Sequence, residues 1–344
     1  MKNTVLDSLN QGLLSALEKD ERVLLLGEDI LDPYGGAFKV TRGCSTAFSE
    51  RVITTPISEA GLGGVAAGLA LRGMRPVLEI MFGDFTTLLA DQIINHITKF
   101  RWMYHDTVNL PLVIRAPMGG RRGYGPTHSQ TLEKHFLGVP GLTVAAPVNL
   151  ADAVSGYTPG SMLEFVIINT DKPVFFIENK LQYLLPVLSE VDLPGCEIHI
   201  DGDTPYPTFT VRLKGAPAPT VTMTAYGYMA EIARQAQEKL AFEEEIFTEL
   251  VIPTLLAPFR FDALKASVSR TGRLVTIEEG GRTMGWGAEV IAGLMEHKPQ
   301  SQVLAVRVAA RDLPVPAAPT LEKQILPQLE DILIAVRKAA SIHE

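Results

Sequence analysis

The chain has little cysteine: Cys44 and Cys196 are the two cysteines in its 344 residues, and they lie far apart in the sequence. They do not form a pair at the short spacing that zinc sites use. A disulfide framework of the kind found in small secreted proteins is therefore excluded. We expect two ordinary free thiols in a protein from a reducing compartment.

The chain also lacks large clusters of basic residues and long apolar segments. Its formal net charge is −8, and its longest basic cluster is Arg121-Arg122. This charge argues against a general nucleic-acid binder. No window approaches the ~18 uninterrupted apolar residues of a membrane span. Acidic residues such as Asp7 and Glu18 near the N-terminus argue against a signal peptide, so a cytoplasmic protein is expected.

Sequence motifs that hold phosphate or metal ions are missing as well. There is no Walker loop, no cysteine or histidine pair at zinc spacing, and no Gly-Asp-Gly segment with a downstream Asn for a magnesium diphosphate. The sequence thus offers acid–base candidates without a means of holding a charged cofactor by itself, and we assign no metal ligands.

What is present is an alternation of short apolar runs and amphipathic segments. The predicted helices of the first unit are 2–18, 59–72, 84–105, 129–137 and 150–168, and its predicted strands are 23–27, 51–54, 76–81, 111–115, 142–146 and 173–178. This alternation predicts a parallel sheet with helices on both faces. Ligands of such sheets bind at the carboxyl ends of the strands, where Glu28, Glu59, residues 81–85 and the loop 116–128 should lie.

A proline-rich stretch separates this unit from a second one. The sequence predicts a first domain at 1–186, a connection at 187–219 with one short strand at 208–213, and a second domain at 220–344. The second unit alternates in the same way, with predicted strands 220–226, 246–252, 273–278 and 303–308 and predicted helices 229–241, 261–269, 287–296 and 327–340. It is predicted to be a smaller α/β domain with a mostly parallel sheet.

The stretch Thr55–Gly64 is the most distinctive in the first unit. Ser58 is a natural N-cap and Glu59 falls in the first turn of the helix that follows. A carboxylate there can simply stabilise the positive end of the helix, by ~0.3–1 kcal/mol. The same helix, however, contains Gly61, Gly63, Gly64 and Gly68, which indicates that another backbone or a ligand comes very close.

His128 ends the glycine-rich loop Gly119–His128 and is predicted to lie just before a helix. An imidazole in this position can exchange protons near neutral pH or bind an anionic group. It can equally cap the helix, and the loop alone does not decide between these interpretations.

Seven short motifs together resemble one family. They are Gly27-Glu28-Asp29, Tyr34-Gly-Gly-Ala-Phe-Lys-Val40, Thr55-Pro-Ile-Ser-Glu-Ala-Gly61, Asp91-Gln-Ile93, His128-Ser-Gln130, Pro140-Gly-Leu142 and Gly285-Trp-Gly-Ala-Glu289. In this order the chain resembles the beta subunit of the thiamine-diphosphate-dependent 2-oxo-acid dehydrogenases, which include the pyruvate, branched-chain and acetoin types. The resemblance implies an α/β fold of two domains: a pyrimidine-binding parallel-sheet domain followed by a transketolase C-terminal-type domain.

The resemblance also implies partners and a cofactor. In this family a separate alpha subunit carries the segment that holds the diphosphate and Mg²⁺, and the usual assembly is a heterotetramer of two alpha and two beta chains. Thiamine diphosphate would thus be shared with the alpha subunit. The implied reaction is oxidative decarboxylation of a small 2-oxo acid, with acyl transfer to a lipoyl acyltransferase component. No nucleic acid and no membrane is implied.

The family's site residues carry over to matching positions. By resemblance, Glu59 hydrogen-bonds the pyrimidine ring nitrogen of the cofactor and promotes removal of the thiazolium proton. Phe85 stacks on the pyrimidine ring, while Ile57 and Met81 line the same pocket. His128 matches the histidine over the reacting carbon, where it holds the substrate carboxylate or the acyl group and manages a proton.

Some segments depart from the family pattern and leave alternatives open. The segment 147–173 is longer than usual, and Lys172 stands where some members hold a structural potassium ion, so that ion is not carried over. Gly125-Pro-Thr-His128 leans towards the C-terminal half of a split transketolase, which would need basic residues such as Arg115, Arg121 and Arg122 for sugar phosphates. The third alternative is a non-catalytic scaffold, against which the presence of Glu59, Phe85 and His128 together counts.

Overall fold

The computed structural model describes residues 3–202, 205–297 and 302–341. The described strands, in chain order, are β1 (Val23–Gly27), β2 (Val52–Thr54), β3 (Arg75–Glu79), β4 (Val113–Met118), β5 (Thr143–Ala145), β6 (Val174–Asn179), β7 (Cys196–Asp201), β8 (Thr208–Leu213), β9 (Val221–Ala225), β10 (Thr248–Pro253), β11 (Leu255–Ala257), β12 (Arg273–Gly281) and β13 (Leu304–Ala310).

The α-helices among the same residues cover both faces of the sheets. They are α1 (Val5–Lys19), α2 (Cys44–Ala47), α3 (Glu59–Leu71), α4 (Thr86–Asp91), α5 (Phe100–Met103), α6 (Pro159–Asn169), α7 (Gly227–Glu244), α8 (Asp262–Thr271), α9 (Trp286–His297), α10 (Pro319–Ile325) and α11 (Leu329–Ser341).

The first sheet has the strand order β11-β5-β6-β4-β3-β1-β2 within the described residues. All its pairs are parallel except that of the short β11 with β5. Every residue of β1 and β4 is buried, as expected for strands covered on both faces. The strand pairing confirms the predicted parallel sheet. Its physical reason is that strands with continuous apolar sequences are stable only between two layers of helices.

A close crossing of α1 and α6 covers one face of this sheet. α1 buries Leu9, Leu13 and Leu17. At the crossing, a Cβ atom on Gly160 would lie 1.9 Å from the Ser8 carbonyl oxygen. The glycine therefore permits this approach.

The second sheet has the order β13-β12-β9-β10-β8-β7 in the part of the chain described. Its four strands β9, β10, β12 and β13 pair in parallel, and β8 and β7 add an antiparallel edge. The predicted short strand at 208–213 is confirmed as β8. β7 lies in the same predicted connection and was not predicted; together with β8 it extends the second sheet. The domain limits at 186 and 219 stay a prediction.

The predicted helix at 84–105 is interrupted. After α4 the chain forms a π-helical segment at Gln92–Ile97 before the short α5. The reason is local: both the amide and the hydroxyl of Thr98 donate to the Ile93 carbonyl, five residues earlier, at 3.2 and 2.9 Å. This spacing is that of a π turn rather than an α turn.

The predictions of helices at 129–137 and 150–168 were wrong in whole or in part. Residues 133–135 form a single 3₁₀ turn, since the Gln130 amide groups are drawn to Asp84 Oδ1 at 3.3 and 2.8 Å. α6 starts only at Pro159, where the Thr158 hydroxyl accepts from the Ser161 amide. α10 was not predicted. None of the described helices is long and apolar enough to cross a membrane.

Candidate functional site

Five polar or aromatic side chains follow the carboxyl ends of neighbouring strands of the first sheet. Glu28 follows β1 and Glu59 begins α3 just after β2. Phe85 lies in the turn after β3, His128 ends the loop after β4, and Lys180 follows β6 directly. Parallel strands bring these ends to one edge of the sheet, which is where α/β proteins bind their ligands.

Glu59 and Glu28 form a buried carboxyl pair. Their side chains are 6% and 7% exposed. Burial, and next the charge of Glu59, raise the pKa of Glu28, while the Ser58 backbone amide opposes this shift. One Glu28 carboxyl oxygen is buried without a hydrogen-bond partner. Glu28 can therefore hold a proton more readily than a surface carboxylate, and it has an acceptor to offer to a ligand.

The predicted N-cap at Ser58 is wrong in its details. Ser58 occupies the position before α3, but its side chain makes no capping hydrogen bond. Its ψ of 81° turns the chain away from the usual cap geometry. The Ser58 backbone amide instead hydrogen-bonds Glu28. Glu59 lies in the first turn of α3, as the sequence predicts, so a stabilising effect of its charge on the helix stays open.

The glycines of α3 fall on two faces. At Gly63 the Leu89 side chain packs very closely against α3, since a Cβ atom on this glycine would lie 2.2 Å from it. Gly61, Gly64 and Gly68 are exposed. Ile57, on the same side of the sheet edge, is 83% exposed. A helix face with three exposed glycines, next to an exposed isoleucine, can accept another chain at short distance.

Phe85 and His128 are brought together by the structure. Their ring centroids are 5.3 Å apart, and Phe82 lies 4.8 Å from the His128 ring. Phe85, Phe82 and Met81 are each half-buried. Edge-to-face contacts of this kind orient the imidazole without using its nitrogens. His128 Nδ1 lies 2.9 Å from the Thr127 hydroxyl.

The surroundings of His128 differ from those predicted. No helix starts after it, because residues 129–132 are not helical. The helix-capping interpretation is therefore wrong. Instead, the backbone carbonyl of His128 accepts a hydrogen bond from Lys180 Nζ at 2.5 Å.

Sequence reasoning missed Lys180, and it placed Phe82 at the sheet edge within residues 81–85 without giving it a role. Lys180 is 0% exposed, and its ammonium lies 5.1 Å from the Phe82 ring centroid. The available signal was its position directly after a buried strand, the same rule that pointed to Glu28. Glu59 and His128 remain in separate groups: no hydrogen bond, ion pair or ring contact links them among the residues that the structure describes.

The predicted basic group is largely engaged in pairs. Arg115 is buried between Glu79 and Glu178, at 2.6 and 2.7 Å. Arg121 Nε lies 3.3 Å from Glu279. Arg122 is exposed and lies over the Tyr124 ring. Two of the three arginines are therefore occupied by carboxylates of the chain itself.

A different cation holds the backbone near the longer segment 147–173. Lys172 is exposed. Arg75 is 8% exposed, and its guanidinium donates to the carbonyls of Ile167 and Thr170 at 3.0 and 2.8 Å. The interpretation of Lys172 as a substitute for an ion stays a prediction.

The residues present fit the pyrimidine half of thiamine diphosphate. A carboxyl pair with an unsatisfied buried oxygen suits a ring nitrogen, and half-buried aromatic rings suit a flat heterocycle. The described part of the chain contains no cluster of three or more His, Cys, Asp or Glu that could hold a metal ion. The geometry supplies acid–base groups and aromatic rings that suit a heterocycle.

Comparisons with protein families cover nearly the whole chain. Residues 2–184 match "Transketolase, pyrimidine binding domain", and residues 211–332 match "Transketolase, C-terminal domain".

Relatives of known function are similar over both domains. The chain is 36% identical over 338 residues to "Pyruvate dehydrogenase E1 component subunit beta-1, mitochondrial" of Arabidopsis thaliana, covering 98% of this chain and 89% of the plant protein. It is 35% identical to the "Pyruvate dehydrogenase E1 component subunit beta, mitochondrial" of Rattus norvegicus, covering 98% and 91%.

A solved structure shares the fold. It is named "Split gene transketolase, inactive beta4 tetramer", with a TM-score of 0.73, 22% identity and 98% coverage of both chains. At this identity the likeness concerns the fold alone, whereas the likeness to the plant and rat proteins also extends to sequence.

Proposed function

Since the chain belongs to the family of thiamine-diphosphate-dependent 2-oxo-acid dehydrogenase beta subunits, we propose that it forms half of an active site that an alpha subunit completes. The observation that carries this proposal is the buried Glu28–Glu59 pair beside an exposed, glycine-rich face of α3. The chain offers acid–base chemistry at that edge, and the partner would hold the diphosphate and Mg²⁺. The expected assembly is a heterotetramer of two alpha and two beta chains.

In this proposal Glu59 acts on the pyrimidine ring. Its carboxyl group would hydrogen-bond the ring nitrogen, at a position where burial limits the access of water. Glu28 assists because its raised pKa disfavours a second negative charge beside Glu59. Thiamine diphosphate, when bound, supplies the carbon chemistry of decarboxylation.

The other predicted site residues orient the reacting groups. Phe85 offers its ring face to the pyrimidine, and Ile57 and Met81 line the same pocket. His128, fixed between Phe82 and Phe85, holds the substrate carboxylate or the acyl group and manages a proton at its imidazole. The acyl group would then pass to a lipoyl group on an acyltransferase component.

The ion pairs of the arginines argue against the split-transketolase alternative. A sugar phosphate needs unpaired cations at the mouth of the site. Arg115 and Arg121 are engaged by carboxylates of the chain, which leaves Arg122 from the predicted group. The named relatives are dehydrogenase subunits, while the transketolase likeness is one of fold.

Location is part of the proposal. The sequence predicts a cytoplasmic protein, whereas the plant and rat relatives carry "mitochondrial" in their names. We keep the cytoplasmic location as a proposal. Fractionation of the source cells, with detection of the chain in each fraction, tests it.

Reconstitution tests the activity. The chain is co-purified with an alpha subunit that contains the Gly-Asp-Gly…Asn segment, supplied with thiamine diphosphate and Mg²⁺, and assayed on a panel of 2-oxo acids with an artificial electron acceptor. We expect turnover of at least one 2-oxo acid by the pair and none by either chain alone. Turnover of ketose phosphates in place of 2-oxo acids would overturn the proposal, and so would a stable pair that turns over neither class.

A further inference from the structure

Lys180 is a buried cation that the proposed chemistry does not yet use. Its side chain is 0% exposed, and no carboxylate of the described residues lies within ion-pair distance of its ammonium. Burying an ammonium group without a contact ion pair is costly, so such lysines are rarely retained for packing alone.

The contacts of Lys180 point to His128. The ammonium donates to the His128 backbone carbonyl and lies over the rings of Phe82 and Tyr124, at 5.1 and 5.7 Å from their centroids. Phe82 also contacts the His128 imidazole. One cation therefore joins the backbone of His128 to the aromatic groups that orient its side chain.

The loop that ends at His128 needs such a restraint. It contains positive φ angles at Gly119, Arg121, Gly123 and Gly125, and its last residue is not followed by a helix. Glycines in this region leave the backbone many conformations. A charge-assisted hydrogen bond at its end is stronger than a neutral one and fixes the position of the imidazole.

We propose that Lys180 is a positioning residue for the dehydrogenase reaction, whose ammonium group holds the His128 backbone so that the imidazole faces the reacting atoms. This inference rests on the proposed function, because it takes His128 as a group that acts on the substrate. Lys180 itself is fully buried, so we assign it a positioning role and not a contact with the substrate.

The electrostatics of Lys180 give the restraint a pH range. Burial lowers the pKa of Lys180 to about 8, against the opposing effects of Asp84 and Glu279. Arg122 lowers the pKa further, and Glu322 raises it. These four groups face Lys180 from the turn after β3, from β12, from the loop after β4 and from α10. Above this pKa the hydrogen bond to His128 loses its charge, so the loop is held less firmly.

Kinetics of two variants in the reconstituted complex test the proposal. In Lys180→Met we expect kcat to fall by ~10–100-fold, as for a catalytic group moved by about an ångström, with the substrate KM changed much less. The alkaline decline of kcat near the Lys180 pKa should disappear. Lys180→Arg keeps the charge at all accessible pH values, so it should recover part of kcat and also lack that decline.

Two controls separate this inference from the proposed function. Lys265→Met removes an exposed lysine from α8 and should leave kcat and its pH profile unchanged. If His128→Ala has normal kinetics, the role of His128 fails. If His128→Ala is impaired while Lys180→Met keeps a normal kcat and alkaline decline, the proposal for Lys180 alone is overturned.

Hydrogen–deuterium exchange of the wild-type complex decides the matter even if the variants do not fold. After correction for the intrinsic rate, amides of 119–130 should exchange several-fold faster above the pKa of Lys180 than below it, while those of α1 should not. Equal protection of 119–130 on both sides of that pKa would overturn the proposal.

Discussion

Arg115 donates two parallel hydrogen bonds to Glu178, from Nε to Oε1 at 2.7 Å and from a terminal nitrogen to Oε2 at 2.8 Å. Its other terminal nitrogen donates to Glu79 at 2.6 Å. Both Arg115 and Glu178 are almost completely buried, and Glu178 lies two residues before Lys180. This ion network therefore lies under the carboxyl ends of β4 and β6, where the candidate site begins.

Removing the Arg115 guanidinium, which pairs with both Glu79 and Glu178, should destabilise the folded protein. In Arg115→Met, the buried carboxyl groups of Glu79 and Glu178 lose their shared cation, so the free energy of unfolding should fall by ~3–5 kcal/mol. Urea denaturation followed by circular dichroism measures it. Lys19→Met is the matched control, because it removes a cation from the exposed Lys19–Glu164 pair and should cost less than ~1 kcal/mol. Similar losses in both variants would contradict the assigned importance of the buried network.

Glu59→Gln should remove decarboxylation from the reconstituted pair. The amide cannot give or take the proton that the pyrimidine nitrogen requires, so kcat should fall by at least ~10²–10⁴-fold. Size-exclusion chromatography should show unchanged assembly with the alpha subunit. Glu50→Gln, at an exposed position, serves as the control. Retained turnover in Glu59→Gln would refute the role proposed for this carboxyl group.

His128→Ala should separate catalysis from folding. The imidazole packs edge-to-face with Phe82 and Phe85, and its loss leaves a small gap at a half-buried position. We expect a ~10²-fold or greater fall in kcat with a change in unfolding free energy below ~1.5 kcal/mol. The exposed His105 provides the matched control, His105→Ala. Unchanged kinetics in His128→Ala would make this residue a packing group.

Glu133 should make stability depend on pH. Burial, and next the charge of Glu278, raise the pKa of Glu133 to about 7. The folded state therefore binds a proton more tightly than the unfolded state, whose glutamates titrate near ~4.3. The stabilising contribution is complete below that value and is lost as the pH rises through the folded pKa.

Glu133→Gln isolates this contribution from those of other groups. Above the folded pKa, the variant should be more stable than the wild type by on the order of 2–4 kcal/mol. At about pH 4.5 the difference should shrink to under ~1 kcal/mol. Urea denaturation of both proteins across this range measures it. A stability difference that does not vary with pH would show that Glu133 has an ordinary pKa.

The parallel first sheet could be predicted because the spacing of apolar residues and the length of each apolar segment can be read directly from the sequence. The apolar runs that became β1, β4 and β6 have no polar face, so they need cover on both sides. The same topology explains why the sequence alone could place Glu28 and Glu59 at the carboxyl edge of the first sheet. That these residues and His128 serve a thiamine enzyme came from the resemblance and stays a proposal.

Other features depend on contacts between distant residues. The restraint on His128 by Lys180 joins residues 52 positions apart, and no spacing rule reports such a pair. The failed helix at 129–137 has the same cause, because Gln130 bonds to Asp84 across 46 positions. Tertiary hydrogen bonds of this kind override local helix preference.

The glycines of α3 allow the partner face to be tested by three substitutions in one helix. Gly68→Ala meets no atom within 4 Å, so the isolated chain should gain ~0.5–1 kcal/mol from better helix propensity. Gly63→Ala places its methyl group 2.2 Å from Leu89, and overpacking should cost ~1–3 kcal/mol. Thermal unfolding of the isolated chain measures both.

Gly64→Leu tests the same face for its partner. The nearest atom to a Cβ here is Gln92 Oε1 at 3.7 Å, so the side chain has room in the isolated chain. A leucine should nevertheless clash with a backbone segment of the alpha subunit that packs closely against Gly64. We therefore expect Gly64→Leu to fold with a normal melting temperature and to lose co-purification with the alpha subunit, while Gly68→Ala keeps at least part of it. If Gly64→Leu assembles normally, the alpha subunit does not contact α3, and the glycines must have another cause.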